Sequence, residues 1–110
     1  MMITWEDFEK VDIRVGTILG ASNFEGARKP AYQLQIDFGP LGIKKSSAQI
    51  TRIYAIEDLI GKQVIAVVNF PPKQIANFFS ECLVLGVVGT DQSVILLEPE
   101  RKVDNGLRIA

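Results

Sequence analysis

Apolar and polar residues alternate along several short segments of this chain, and this alternation is the strongest constraint on its fold. In AYQLQIDF, residues 31–38, every second side chain from Tyr32 to Phe38 is apolar and those between them are polar. The segment VDIRVGTIL, residues 11–19, alternates in the same way and places Val15 on the apolar side and Gly16 on the other. Both are predicted to be strands with one face in a core. A glycine inside the second segment predicts a bulge or bend there.

Further strands and two short helices are predicted from the remaining segments. A capping box of Thr4 and Asp7 begins a helix at residues 4–10, and Gly61 ends a second helix at residues 52–61. The other predicted strands are residues 43–50, 63–70, 82–89 and 93–99. The second helix then lies between the third and fourth strands. This pattern is mainly β and matches a five-stranded OB-fold barrel, although periodicity alone does not separate it from other small barrels.

Composition narrows the class of function. With 110 residues, the chain is predicted to be one globular domain spanning residues 1–110. It contains no histidine, which removes the commonest general base and metal ligand, so no enzyme, metal site or cofactor is predicted. Its single cysteine, Cys82, excludes an internal disulfide, and its apolar runs are too short to span a bilayer. Because the N-terminus is acidic, unlike a secretory signal, we predict a cytoplasmic protein without membrane insertion.

Charge is distributed unevenly along the chain. The net charge is −1, which argues against a dedicated nucleic-acid binder, but residues 28–73 carry +4 and the remainder −5. In the third predicted strand Lys45, Ser47 and Gln49 share one face, and Lys44 adjoins them. That polar face is either the solvated side of the sheet or a recognition surface, and both interpretations remain open.

The stretch NFPPKQIANFFS, residues 69–80, follows the apolar run VIAVV directly. Pro71 and Pro72 lack amide protons, so they end the preceding strand and stiffen the segment after it. Phe70, Phe78 and Phe79 are predicted to lie partly in the core, as aromatic residues at barrel corners usually do. If one is exposed beside the lysine of this segment, it can stack on a base or hold an apolar side chain.

Several separated motifs resemble one family from end to end. They are FEKVDIRVGTI, SSAQITRIY, NFPPKQI and VILLEPERKVDNGLRI, and they are similar to the tRNA-binding domain at the C-terminus of many methionyl-tRNA synthetases. That domain also occurs in stand-alone dimers. Three further stretches, ARKPAYQLQIDFG, SSAQIT and SECLVLG, resemble a branch of small bacterial chaperones associated with protein export.

The resemblance implies an OB-fold homodimer that binds tRNA, unfolded or export-bound polypeptide, or both. Family members dimerise through the N-terminal helix and the C-terminal strands, which would bury Trp5 and Phe8. We therefore expect an export-related chaperone with weak tRNA binding of little sequence preference. The alternative is a stand-alone tRNA-binding module acting in trans on tRNA or on an aminoacyl-tRNA synthetase.

The resemblance also implies binding roles in the proline-rich stretch. Lys73 would meet a phosphate or a peptide carboxylate, while Asn69 and Ser80 would offer hydrogen bonds to a ligand backbone. Alternatively, Asn69 and Ser80 fix the geometry of the loop itself. The family often has a second basic residue where this chain has Gln74, and more polar residues in place of Phe79. The complete set of predicted binding residues is Lys44, Lys45, Ser47, Gln49, Asn69, Phe70, Lys73, Phe79 and Ser80.

Overall fold

In a computed structural model that describes residues 1–110, most elements lie within the predicted segments. The strand predicted at residues 82–89 is an exception, because it is divided into Leu83–Val84 and Gly86–Val88, which belong to different sheets. The helices are α1 (Trp5–Glu9) and α2 (Ile56–Leu59), and a 3-10 turn spans Gly39–Leu41. The strands are β1 (Ile13–Asn23), β2 (Tyr32–Asp37), β3 (Ile43–Ala48), β4 (Gln63–Val67), β5 (Lys73–Ile75), β6 (Phe78–Ser80), β7 (Leu83–Val84), β8 (Gly86–Val88) and β9 (Val94–Leu96).

Five of these strands form one antiparallel sheet in the order β3-β2-β1-β4-β7. The sheet curls until its two edges meet, where the Glu81 amide donates to the Lys45 carbonyl at 2.8 Å and the Ser46 hydroxyl to the Cys82 carbonyl at 2.9 Å. The result is a nearly closed, OB-like barrel, which confirms the predicted fold class. The strands β5–β6 and β8–β9 form separate hairpins outside this sheet.

The core of the barrel follows the alternation of β2. Tyr32, Leu34, Ile36 and Phe38 are all buried, and they belong to one cluster of 11 buried residues. The polar positions between them point away from this cluster, as predicted for a strand with one face in the core.

The face of β1 that meets the core is the opposite of the predicted one. Ile18 belongs to the core cluster, and a Cβ atom on Gly16 would lie 2.6 Å from Cγ2 of Ile36, so Gly16 and Ile18 face inward. Val15 is also buried, but on the other face and outside the cluster. Gly16 pairs regularly with Val64, and the register shift falls between Ile18 and Gly20. The glycine therefore provides space for core side chains and is not the site of the bulge.

The C-terminal segment runs beside the first half of β1. The amide of Gly106 donates to the carbonyl of Val15 at 2.7 Å, and the amide of Val15 donates to the carbonyl of Leu107 at 3.0 Å. Gly106, in the sequence Asn105–Gly106, has φ +92°, a backbone conformation that glycine adopts readily. This segment pairs with the half of β1 that β2 does not reach.

Both helices are short. Thr4 and Asp7 form the predicted capping box of α1, with the Asp7 amide donating to Oγ1 of Thr4 at 3.0 Å. The second helix lies between β3 and β4 as predicted, but it comprises one turn, because the chain is already extended at Ile60 and Gly61 has φ +85°. Neither helix has the length and apolar character needed to cross a membrane.

Candidate ligand-binding site

Part of the proline-rich stretch forms a hairpin. The strand β4 ends at Val67, and the two prolines lead into β5, which pairs with β6 so that Lys73 faces Ser80 across the ladder. Ala76 begins the tight turn with φ 53°, an unusual value for a residue with a side chain. Residues Asn69–Pro72, which connect β4 to this hairpin, are here called the proline loop.

A pocket of about 350 Å³ opens between the proline loop and the start of β7. It is lined by Phe70, Pro71, Lys73, Ser80, Cys82 and Leu83. An adjoining groove shares the last four of these residues and continues to Ser47 and Gln49 at the end of β3 and to the hairpin β8–β9. Lys73 carries the only charge in the lining of either cavity. The pocket and groove together form a mainly apolar channel with one cation.

The three phenylalanines of this region differ in exposure, and the structure favours the exposed alternative for Phe70 and Phe79. Phe70 exposes 54% of its surface and lines the pocket. Phe79 exposes 46% but pairs with Gln74, so it lies on the hairpin face opposite Lys73 and Ser80. Phe78 is more buried than either of them, with its ring 5.3 Å from that of Phe24.

Asn69 and Ser80 both hydrogen-bond within the protein. The Asn69 side chain accepts from the Asp12 amide at 2.9 Å and donates to the Lys10 carbonyl at 2.7 Å. The Ser80 hydroxyl accepts from the Ser47 amide at 3.1 Å. These contacts favour the interpretation that both residues fix local geometry, although Ser80 also lines the pocket.

The polar side chains of β3 divide between its two faces. Lys45 and Ser47 lie on the face away from the core, as predicted. Lys44 lies on the other face, because it is two residues from the buried Ser46 and residues two apart in a strand share a face. The ammonium of Lys45 is 5.3 Å from the ring centroid of Phe78, a cation–π distance. Both line a second cleft of about 440 Å³, together with Gly20, Ala21, Ser22, Gln33, Leu34 and Gln35.

Sequence reasoning did not identify three residues of the pocket, namely Pro71, Cys82 and Leu83. Leu83 exposes 49% of its surface although it stands in the apolar run CLVLGVV, which has the pattern of a buried strand. Cys82 is buried, and burial raises the pKa of its thiol to about 11. The thiol therefore stays protonated and contributes apolar surface to the pocket.

The acidic residues Glu81, Glu98 and Glu100 do not line the pocket. The carboxylate of Glu81 accepts from the Lys45 amide at 2.9 Å. Glu98 and Glu100 line a separate groove with Lys62 and Arg101. No three Cys, Asp or Glu side chains are grouped so that they could hold a metal ion.

An apolar surface lies apart from the pocket, on α1. Trp5 exposes 86% of its surface and Phe8 37%, and the helix has no buried residue. Both aromatic side chains border a cavity of about 530 Å³ that is completed by Glu9 and the terminal residues Arg108, Ile109 and Ala110.

The barrel, its two short helices and the channel beside the proline loop define a small binding protein built on an OB-like fold. The chain belongs to the putative tRNA-binding domain family, whose profile matches residues 13–108. It is 35% identical over 105 residues to the methionine–tRNA ligase of Methanococcoides burtonii. The matched region covers 96% of this chain and 15% of that protein. The chain therefore spans about 15% of the length of the curated relatives it matches.

Whole-chain similarity is found to crystal structures of the chaperone CsaA. The Bacillus anthracis protein is 54% identical with a TM-score of 0.96, and the match covers 100% of both chains. The Picrophilus torridus protein is 57% identical with a TM-score of 0.94, covering 99% of this chain and 100% of that one. These matches confirm the resemblance that the sequence motifs indicated.

Proposed function

We propose that this chain is a cytoplasmic, non-enzymatic molecular chaperone that binds unfolded or export-bound polypeptide at the pocket beside the proline loop. The observation that carries the proposal is the chemistry of the channel: exposed Phe70 and Leu83 form apolar walls, and Lys73 is the only charge. A surface for an unfolded chain needs apolar contact area first, whereas a surface for RNA needs positive charge first. Whole-chain similarity to two CsaA chaperones supports the same function.

The contribution of Phe70 can be sized from its exposure. Its exposed fraction of 54% corresponds to about 110 Å² of accessible surface if the whole residue has about 200 Å². If a ligand covers half of that, about 55 Å² at about 25 cal/mol per Å² gives roughly 1.4 kcal/mol. Phe70→Ala is therefore expected to weaken peptide binding about tenfold.

The experiment titrates an unfolded, fluorescently labelled peptide into the wild type, Phe70→Ala and Phe79→Ala. Phe79 is a matched control, because it is comparably exposed but lies on the other face of the hairpin. We expect tenfold weaker binding for Phe70→Ala and little change for Phe79→Ala. Equal effects of the two substitutions, or no peptide binding by the wild type, would reject the pocket as a polypeptide site.

A second function, tRNA binding in trans, is favoured by the polar cleft that Lys45 and Phe78 line. Gln33, Gln35 and Ser22 line that cleft with Lys45, and these side chains can hydrogen-bond to bases and phosphates. Membership of the putative tRNA-binding domain family supports this function. Since Lys44 lies on the opposite face of β3, the remaining candidate phosphate contacts are Lys45 in this cleft and Lys73 in the pocket beside the proline loop. Weak binding with little sequence preference is expected.

We also propose that the chain forms a homodimer through α1 and the C-terminal strands. Trp5 is almost fully exposed, and the hairpin β8–β9 presents Val87, Val88 and Ile95, each more than half exposed. Five helical residues do not form a stable helix alone in water, so packing against a second copy would stabilise α1 as well as bury this apolar surface.

A further inference from the structure

The proline loop is attached to a distant part of the chain through one side chain. Asn69, the first residue of that loop, uses both ends of its amide group on the junction between α1 and β1. Its oxygen accepts from the Asp12 amide at 2.9 Å and its nitrogen donates to the Lys10 carbonyl at 2.7 Å, across 57 and 59 residues of sequence.

The junction is itself held firmly, so it is a suitable anchor. The Asp12 carboxylate pairs with Arg14 at 2.6 Å, and the Asp12 carbonyl accepts from the Val68 amide at 2.9 Å. Arg14 also donates to the Gly106 carbonyl at 3.0 Å, and Arg108 donates to the Glu9 carbonyl at 3.0 Å. These bonds join the end of α1, the start of β1 and the C-terminal segment.

The loop has few other means of keeping its position. Pro71 and Pro72 have no amide protons, and Phe70 is more than half exposed. The prolines restrict the backbone within the loop, but they do not fix where the loop lies on the barrel. The two bonds of Asn69 supply that missing constraint at the residue next to Phe70.

We infer that Asn69 is a positioning residue, which holds the wall of the pocket in place through the α1–β1 junction and does not itself contact the ligand. This inference rests on the proposed polypeptide-binding function of the pocket. One consequence follows from the connection: a ligand that contacts Phe70 and Lys73 should be sensed at α1, because the same side chain restrains both segments.

The test compares the wild type, Asn69→Ala and Gln74→Ala. Gln74 is the matched control, because its amide donates only to Ala76 within its own hairpin, at 3.0 Å. Without ligand, Asn69→Ala should increase amide hydrogen exchange at Asp12 and Lys73 at least threefold. The chain's only tryptophan, Trp5, reports on α1 when a tryptophan-free peptide is added.

We expect Asn69→Ala to weaken peptide binding three- to tenfold and to abolish the fluorescence response of Trp5 at saturating peptide, while Gln74→Ala behaves as the wild type. Weaker binding with unchanged hydrogen exchange and an unchanged Trp5 response would show that Asn69 contacts the peptide directly, and the inference would be wrong. Wild-type affinity in Asn69→Ala would also overturn it. If the wild type bound no peptide, the proposed function would fail, while the exchange comparison would still decide whether Asn69 holds the loop.

Discussion

Gly16→Ala tests the close packing between β1 and the core. A Cβ atom at this position would lie 2.6 Å from Cγ2 of Ile36 and 2.8 Å from two ring carbons of Phe38. Ordinary carbon contacts are about 3.5–4.0 Å, so a shift of roughly 1 Å is needed. Because Ile36 and Phe38 are completely buried, they have no free space to move into.

The expected cost follows from these contacts. Overpacking of a core costs about 1–3 kcal/mol, and the two buried neighbours place this site near the upper end. Replacing a glycine returns about 0.4–1 kcal/mol by restricting the unfolded chain. The net loss is therefore roughly 2 kcal/mol, or about 8 °C in Tm for a domain of this size.

Urea and thermal unfolding followed by circular dichroism measure this loss. One fixed protein concentration is used, because the apparent stability of a dimer depends on concentration. Gly20→Ala is the control on the same strand, since its new Cβ would meet only Gln35, at an ordinary 3.5 Å. Combining Gly16→Ala with Phe38→Leu should cost less than the two separate changes together. Wild-type stability of Gly16→Ala, or strict additivity in the double variant, would refute the proposed packing.

Four further expectations concern the dimer, tRNA binding and Cys82. Light scattering at micromolar concentration should give about twice the 12.2 kDa mass of the chain, and Trp5→Ala should loosen the dimer; a mass near 12.2 kDa in the wild type would contradict the proposal. With phosphate contacts from Lys45 and Lys73 only, tRNA affinity should fall with salt with a log–log slope of about −1.4, and a salt-insensitive complex would reject these contacts. Because burial raises the pKa of Cys82 to about 11, its alkylation at pH 8 should be at least about a hundredfold slower than that of an ordinary thiol with a pKa of 9.0. The folded state holds this proton more tightly than the unfolded state, so stability should fall between pH 9 and pH 11, an effect absent in Cys82→Ala.

The sequence determined those features that depend on neighbours along the chain. The alternation from Tyr32 to Phe38 placed β2 correctly, and the spacing of Thr4 and Asp7 placed the start of α1. In each of these cases the determining contacts lie within a few residues, so a local pattern contains the necessary information.

Tertiary structure decided which side of each short element is covered. In β1 the predicted alternation was correct, but the face predicted to meet the core was not. The large side chains of β2 need the space that Gly16 leaves, so Gly16 lies on the core face. Phe78 and Phe79 are adjacent and of the same residue type, so the sequence does not distinguish them. Only Phe78 packs against another aromatic ring, that of Phe24, which lies 54 positions earlier. A strand of three residues is too short for its own periodicity to select a face.

The candidate site depends on the longest-range contacts of all. From the sequence, Asn69 was interpreted as a turn residue or a ligand contact. Its two hydrogen-bond partners at the α1–β1 junction come close to it only when β1 and β4 are paired. The run of apolar residues around Leu83 predicts a core position, but its neighbours Cys82 and Val84 face the core, so Leu83 lies on the outer face of β7 and is exposed at the pocket. Local residue types determined the strands, whereas the pairing of distant strands determined the pocket between them, because its walls come from segments that meet only in the closed barrel.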